Sequence, residues 1–130
     1  MSDKFPKELK YDENYSWFKL DEDIVTVGVN YLASVKVKEF VFIKLPQEGD
    51  KLDKGDIYAS LEAVKWSGHL TTPISGEVID VNKDLFSKPS KLNKDPYDEW
   101  IMKFKVDDTK DLDVLMSASE VEEFYSEHLN

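Results

Sequence analysis

Residues 60–82 read SLEAVKWSGHLTTPISGEVIDVN. Ile57, Ala59, Leu61 and Ala63 alternate with Tyr58, Ser60, Glu62 and Val64 on entry to this stretch, the period-two pattern of a strand with one buried face. Trp66-Ser67-Gly68 reads as an interruption, after which His69 to Thr72 resumes an extended pattern into Pro73. Gly76 then leads into a further strand, Glu77 to Val81. Two strand-like segments therefore flank Val64-Lys65-Trp66, and Lys65 is expected at a hairpin tip, projecting into solvent. An exposed amine on a firm turn suits an enzyme that must acylate it, and a swinging arm that needs a rigid base. On spacing alone an ordinary surface lysine explains the position better.

The rest of the chain agrees with a β-rich fold. Trp17 to Leu20 and Ile24 to Val29 carry β-branched and aromatic residues of strand type, separated by an Asp21-Glu22-Asp23 turn. Asn30 is placed to cap a short helix in the otherwise ambiguous segment Asn30 to Lys38. Glu39 to Leu45 (EFVFIKL) predicts a buried strand stopped by Pro46, and Gln47 to Gly55 is rich in turn residues. Trp100 to Val106 predicts another strand, with Trp100, Met102, Phe104 and Val106 on one face. The period then changes. Leu112, Leu115 and Met116 share a helical face, and Ser117 and Glu120 have capping-box spacing. Val121, Phe124, Tyr125 and Leu129 continue at helical intervals. Residues 1–16 read as an extended, charged arm. The sum predicts a small β sandwich or flattened barrel whose side is covered by a helical tail, in one domain spanning residues 1–130.

Composition removes several classes of function. Cysteine is absent, which excludes disulfides, thiolate metal sites and cysteine nucleophiles. His69 and His128 are far apart and in no zinc-binding spacing, so no metal is expected. All 17 basic residues are lysine. Without arginine's planar fork, and with a net charge of −10, the chain is a poor match for nucleic acid. The negative charge suits a partner with a basic docking face, but charge by itself favours solubility alone. No apolar run approaches a membrane span, and the N-terminus lacks the apolar centre of a secretory signal, so a cytoplasmic protein is expected. No Ser/His/Asp set and no phosphate loop is evident, so the chain is not expected to be an enzyme.

The blocks Glu62-Ala63-Val64-Lys65, Pro73-Ile74-Ser75-Gly76-Glu77-Val78 and Val81-Asn82 resemble, in spacing as well as residues, the lipoylation region of glycine-cleavage H proteins. The resemblance runs collinearly over nearly the whole chain, from Glu8-Leu9-Lys10-Tyr11 and Thr26-Val27-Gly28 through Leu45-Pro46 and Gly55-Asp56 to Asn93, Asp95-Pro96-Tyr97 and Lys103-Phe104-Lys105. Biotin carriers share the architecture but usually flank their lysine with methionine; Val64 and Trp66 favour lipoate.

The resemblance implies a hybrid β-barrel sandwich with short flanking helices and a C-terminal helix, and lipoate in amide linkage on Lys65. It implies a non-catalytic, monomeric carrier, lipoylated by a lipoate ligase or an octanoyl/lipoyl transferase. Its partners would be glycine decarboxylase, aminomethyltransferase and dihydrolipoamide dehydrogenase, with an aminomethyl group as cargo. Glu62 and Gly76 would be features read by the lipoylating enzyme. Gly76 has an equal reading as a turn glycine with positive φ, and Glu62 as an outward polar strand residue.

The sequence departs from the family where the arm's cargo would rest. The family pattern His-Glu-Trp is here Tyr15-Ser16-Trp17, and the family Asp four residues after the lysine is His69. Ser16 and His69 thus stand at the expected arm cleft in place of two carboxylates suited to an ammonium. His69 also reads as a plain exposed strand residue. Trp66 replaces a small residue beside the lysine. Some H-like lipoate-binding proteins serve sulfur oxidation with a heterodisulfide-reductase-like complex, and an arm carrying sulfur would need no ammonium pocket.

Overall fold

The computed structural model describes residues 4–128, with the side chains of Glu127 and His128 left aside. Among these residues, nine strands form two antiparallel sheets. The larger has the order β1 (Lys10–Tyr11), β2 (Ser16–Asp21), β3 (Ile24–Val29), β9 (Met102–Val106), β8 (Gly76–Val81), β5 (Lys51–Leu52). The smaller has the order β4 (Phe40–Lys44), β6 (Ile57–Ala63), β7 (Trp66–Thr71). Because β5 crosses from the small sheet's neighbourhood to pair with β8, the two sheets are stitched into the expected sandwich. Between them lies a core that includes Phe18, Val25, Phe40, Ile43, Leu61, Val78 and Phe104.

Several local expectations hold. Asn30 caps helix α1 (Tyr31–Lys36), its side-chain oxygen accepting from the Ala33 backbone N–H at 3.2 Å. Ser117 and Glu120 form a reciprocal capping box: the Glu120 carboxylate accepts from the Ser117 N–H at 2.9 Å, and the Ser117 hydroxyl from the Glu120 N–H at 3.2 Å. These bonds hold the Glu120 carboxyl below its ordinary pKa. Helix α4 (Ala118–His128) follows from that cap, and Leu129 lies outside the described residues.

Other expectations are corrected. Residues 4–16, expected as part of an extended, charged arm, instead pack onto the body, with Phe5, Leu9 and Tyr11 buried in a second cluster with Trp17, Val121 and Tyr125; residues 1–3 of that arm lie outside the described residues. Tyr11 also pairs with Met116 through both backbone bonds, at 2.9 and 2.7 Å. The C-terminal tail thus covers the N-terminal segment more than the sandwich itself. The first helical face, Leu112 to Met116, falls mostly in a 3₁₀ turn (Thr109–Val114) rather than an α-helix. Strand β4 is not buried on both sides: it is a sheet edge with a register shift between Phe40 and Phe42, leaving Val41 and Phe42 half exposed. A second register shift between Ile57 and Ala59 breaks the alternation, burying Tyr58 and half exposing Ile57.

Two four-residue helices, α2 (Asp84–Ser87) and α3 (Lys91–Lys94), had no periodic signal. The second positions Asn93, whose amide donates to the carbonyls of Ser34 and Val37 and accepts from the Phe40 N–H. That one side chain fixes the passage from α1 into β4. No helix among the described residues is long and apolar enough to cross a membrane.

Candidate functional site

The β6–β7 hairpin carries the site. Six cross-strand pairs pin it, from Ile57 with Thr71 to Ala63 with Trp66. Its turn is Val64-Lys65, two residues long, so Trp66-Ser67-Gly68 does not interrupt the strand but begins its return leg. Glycine at position 68 serves packing, not a break. A Cβ there would lie 2.6 Å from the Trp66 indole, which folds back over it. The same indole meets the Phe40 ring edge-on at 6.1 Å between centroids.

Cross-strand partners share a face, and the faces alternate along each strand. Phe42, Glu62 and Ser67 form one row on the outer face, and Lys44, Ser60 and His69 the next. The His69 Nδ1 and the Ser60 hydroxyl are 2.8 Å apart within that row. Ile43, Leu61 and Gly68 form an inward row. Lys65 stands at the tip, exposed, beside a Val64 that is 86% exposed. These residues fit an amide-linked acyl arm: a solvent-facing primary amine, a base fixed by backbone bonding, and an indole wall next to that amine.

The indole forms one side of a cavity of about 150 Å³ lined also by Tyr15, Ala33, Lys36, Leu61 and His69. The loop between β1 and β2 builds the opposite wall. Asp12 Oδ1 accepts from the backbone N–H groups of Asn14 and Ser16, both at 2.9 Å, which folds the loop tightly. Burial pushes the Asp12 carboxyl up to about 6, against the pull of those backbone bonds. Tyr15 takes a left-handed φ of 68° in this loop, stacks on Tyr125 and holds the Lys36 ammonium, which donates to its hydroxyl at 3.0 Å. The Asn14 amide reaches across to β7, donating to Thr71 Oγ1 at 3.1 Å.

The five expected site residues therefore separate. Lys65 and Glu62 are exposed on one hairpin, at its tip and on its outer face. His69 is exposed at the rim of the cavity. Ser16 is not on any cleft: it is fully buried, and its hydroxyl lies 2.7 Å from that of Tyr58. Burial lifts the Tyr58 phenol well above its ordinary pKa, so this tie is between neutral groups. Gly76 lies in the other sheet and has no positive φ. Its constraint is close approach: a Cβ would come within 2.2 Å of the Lys105 carbonyl oxygen and 2.7 Å of the Phe104 ring. Lys36 was not singled out by sequence reasoning, for it lies in the ambiguous segment and reaches the site only through the folded α1.

Residues 9–128 match the glycine cleavage H-protein family. The chain belongs to that family. Among H proteins, it is 35% identical over 123 residues to the glycine cleavage system H protein of Staphylococcus epidermidis (strain ATCC 12228 / FDA PCI 1200), covering 94% of this chain and 98% of the relative. It is 36% identical over 115 residues to the probable glycine cleavage system H protein of Aeropyrum pernix, covering 88% and 80%. The crystal structure of the Mycobacterium marinum H protein superposes with a TM-score of 0.86 at 23% identity, over 94% of this chain and 99% of that one, which establishes the shared fold. H proteins are non-catalytic carriers with lipoate covalently attached to a lysine, and this chain is one such carrier.

Proposed function

We propose that Lys65 is the lipoyl attachment point and that the arm presents a reaction intermediate to successive partner enzymes. The observation that carries this reading is the placement of Lys65, exposed at a two-residue turn on a hairpin pinned by six cross-strand pairs. Lipoate supplies a disulfide/dithiol couple at the end of its arm; the protein supplies the fixed base. Glu62, on the outer face three residues earlier, is the side chain best placed for a lipoate ligase or an octanoyl/lipoyl transferase to read. Intact-mass measurement of protein lipoylated in cells should show one lipoyl adduct, mapped to Lys65 and abolished by Lys65→Ala. An adduct on another lysine would overturn the assignment.

The similarity to proteins named glycine cleavage system H protein supports an aminomethyl cargo, received from glycine decarboxylase, passed to aminomethyltransferase, with dihydrolipoamide dehydrogenase restoring the arm. Loading by the cognate decarboxylase, read as a mass shift, tests it. A second reading, sulfur intermediates exchanged with a heterodisulfide-reductase-like complex, draws support from the cavity beside the hairpin. Its lining includes a lysine and no carboxylate, with Ser16 buried away from it.

A further inference from the structure

We infer that the face formed by α1, β4, α2 and α3 is where the enzyme that loads the arm docks, and that this enzyme meets it with carboxylates set around an apolar contact. The inference rests on Lys65 being the arm's anchor. Three observations meet on this face. The first is position. Phe40 at the start of β4 pairs with Ala63, the residue before the Val64-Lys65 turn, and its ring meets the Trp66 indole edge-on. Helix α2 packs on β4, and α3 on α1. Asn93 of α3 ties that packing to the start of β4 by accepting from the Phe40 N–H at 2.9 Å. An enzyme seated here has the tip of the hairpin beside it.

The second is charge. The chain is strongly acidic, yet residues 35–44 and 83–94 hold seven lysines and two carboxylates, Glu39 and Asp84. Adding Glu62, across from Phe42, and Asp95, at the end of α3, still leaves the surplus positive. Lys38, Lys44, Lys83, Lys88 and Lys94 are exposed. Among the described residues, none of the seven lies in salt-bridge range of a carboxylate. The larger sheet separates this surface from one of opposite sign. At one end of it, β3 runs into α1 and β8 runs toward α2. At the other end, the Asp21-Glu22-Asp23 turn lies against the segment that carries Asp107 and Asp108, the Asp23 carbonyl accepting from the Val106 N–H at 2.9 Å. Net charge alone would call for a basic partner. At this face the local sign is reversed, so complementarity calls for an acidic one.

The third is apolar exposure. Val35, Val41, Phe42 and Phe86 are each more than half exposed, on α1, β4 and α2. Phe86 borders a recess of about 340 Å³ lined by Leu45, Pro46 and Val81, with Lys83 and Glu48 beside it. Apolar side chains ringed by charge are the makeup of a protein interface. An extended polyanion such as a membrane surface would gain from the lysines but be repelled by the rest of the chain, which carries all of the negative surplus. Arginine, the better phosphate ligand, is absent. A protein with a local acidic rim has neither drawback.

The test uses the lipoylated protein, its single adduct first confirmed by mass, and the cognate glycine decarboxylase as probe. Loading of the arm in the presence of glycine is followed by mass over a range of carrier concentrations. Lys83→Glu/Lys88→Glu/Lys94→Glu is expected to raise KM at least about tenfold at low salt, with kcat within about twofold. The neutral set Lys83→Gln/Lys88→Gln/Lys94→Gln should fall between it and the wild type, and the differences should narrow in high salt. Lys19→Glu/Lys105→Glu/Lys110→Glu makes the same change in net charge at exposed positions away from this face and should raise KM much less. Equal KM effects from the two glutamate sets, or none from the first, overturn the inference while leaving the carrier reading intact. So does salt-sensitive binding of the wild type to phosphatidylserine vesicles or to a second copy of itself that outcompetes the decarboxylase. A wild-type arm that the decarboxylase does not load overturns the aminomethyl reading and, with it, this partner. Absence of any adduct on Lys65 overturns the anchor itself.

Discussion

The hydroxyls of Ser16 and Tyr58 lie 2.7 Å apart in the buried interior, one on β2 of the larger sheet and the other on β6 of the smaller. The pair is a polar tie between the two sheets, set among apolar core residues. Tyr58→Phe removes one half and strands the Ser16 hydroxyl, at an expected cost of about 1–3 kcal/mol in urea unfolding. The Ser16→Ala/Tyr58→Phe double variant should cost less than the two single changes added together. Strict additivity would mean that the two hydroxyls do not couple the sheets.

Asp12 should make the protein less stable as pH rises through the weakly acidic range. Its carboxyl is raised from the ordinary value to about 6 by burial, so the folded chain binds the proton more tightly than the unfolded one. The stabilising contribution is complete below pH about 4 and lost as pH passes about 6. Asp12→Asn keeps an oxygen for the Asn14 and Ser16 N–H groups and cannot ionise. It is expected to flatten the stability profile between pH 4 and 7 and to be more stable at neutral pH by about 1–3 kcal/mol. Chemical unfolding at stepped pH measures this; a parallel profile for the variant would refute it.

Gly76→Ala should fail through folding before it fails through recognition. The added methyl collides with the Lys105 carbonyl, a backbone atom of the neighbouring strand that cannot swing aside. Strand β8 must shift against β9, at an expected cost of about 1–3 kcal/mol or more. Thermal unfolding and lipoylation rate, measured on the same sample, separate the two roles. Wild-type stability with lost lipoylation would restore Gly76 as a recognition residue.

Glu62→Gln should behave in the opposite way. Glu62 is exposed on the outer face of the hairpin, across from Phe42 and Ser67. Its replacement is expected to change stability by less than about 0.5 kcal/mol. The rate of lipoylation should fall if the acid is read by the modifying enzyme. An unchanged rate would leave Glu62 as an ordinary outward residue.

The hairpin was legible because two signals agree on it: alternating burial in Ala59, Leu61 and Ala63, and the block containing Lys65. Its turn was misplaced by one step because Trp-Ser-Gly looks like punctuation. In the fold, Gly68 serves the Trp66 ring, a requirement of packing that leaves no local mark. Tyr58 was assigned to the polar face because a register shift is invisible to strict alternation. Asn30, Ser117 and Glu120 were read correctly because caps are local chemistry. Ser16 and Lys36 were beyond reach of such reasoning. One is buried by a strand 42 residues away, and the other is oriented by a tyrosine 21 residues away, so both depend on tertiary contacts.

The two-residue turn at Val64-Lys65 has a geometric consequence for the carrier. On the proposed assignment of Lys65 as the anchor, held by strand pairing, the far end of the arm would sweep a dome of roughly 12–15 Å radius, whose volume corresponds to a local concentration on the order of tenths of a molar. A longer, looser turn would enlarge that dome and dilute its contents. The shortness of the loop thus sets a dose: how much of the reactive end any enzyme seated on the hairpin encounters, whatever the amount of carrier in the cell.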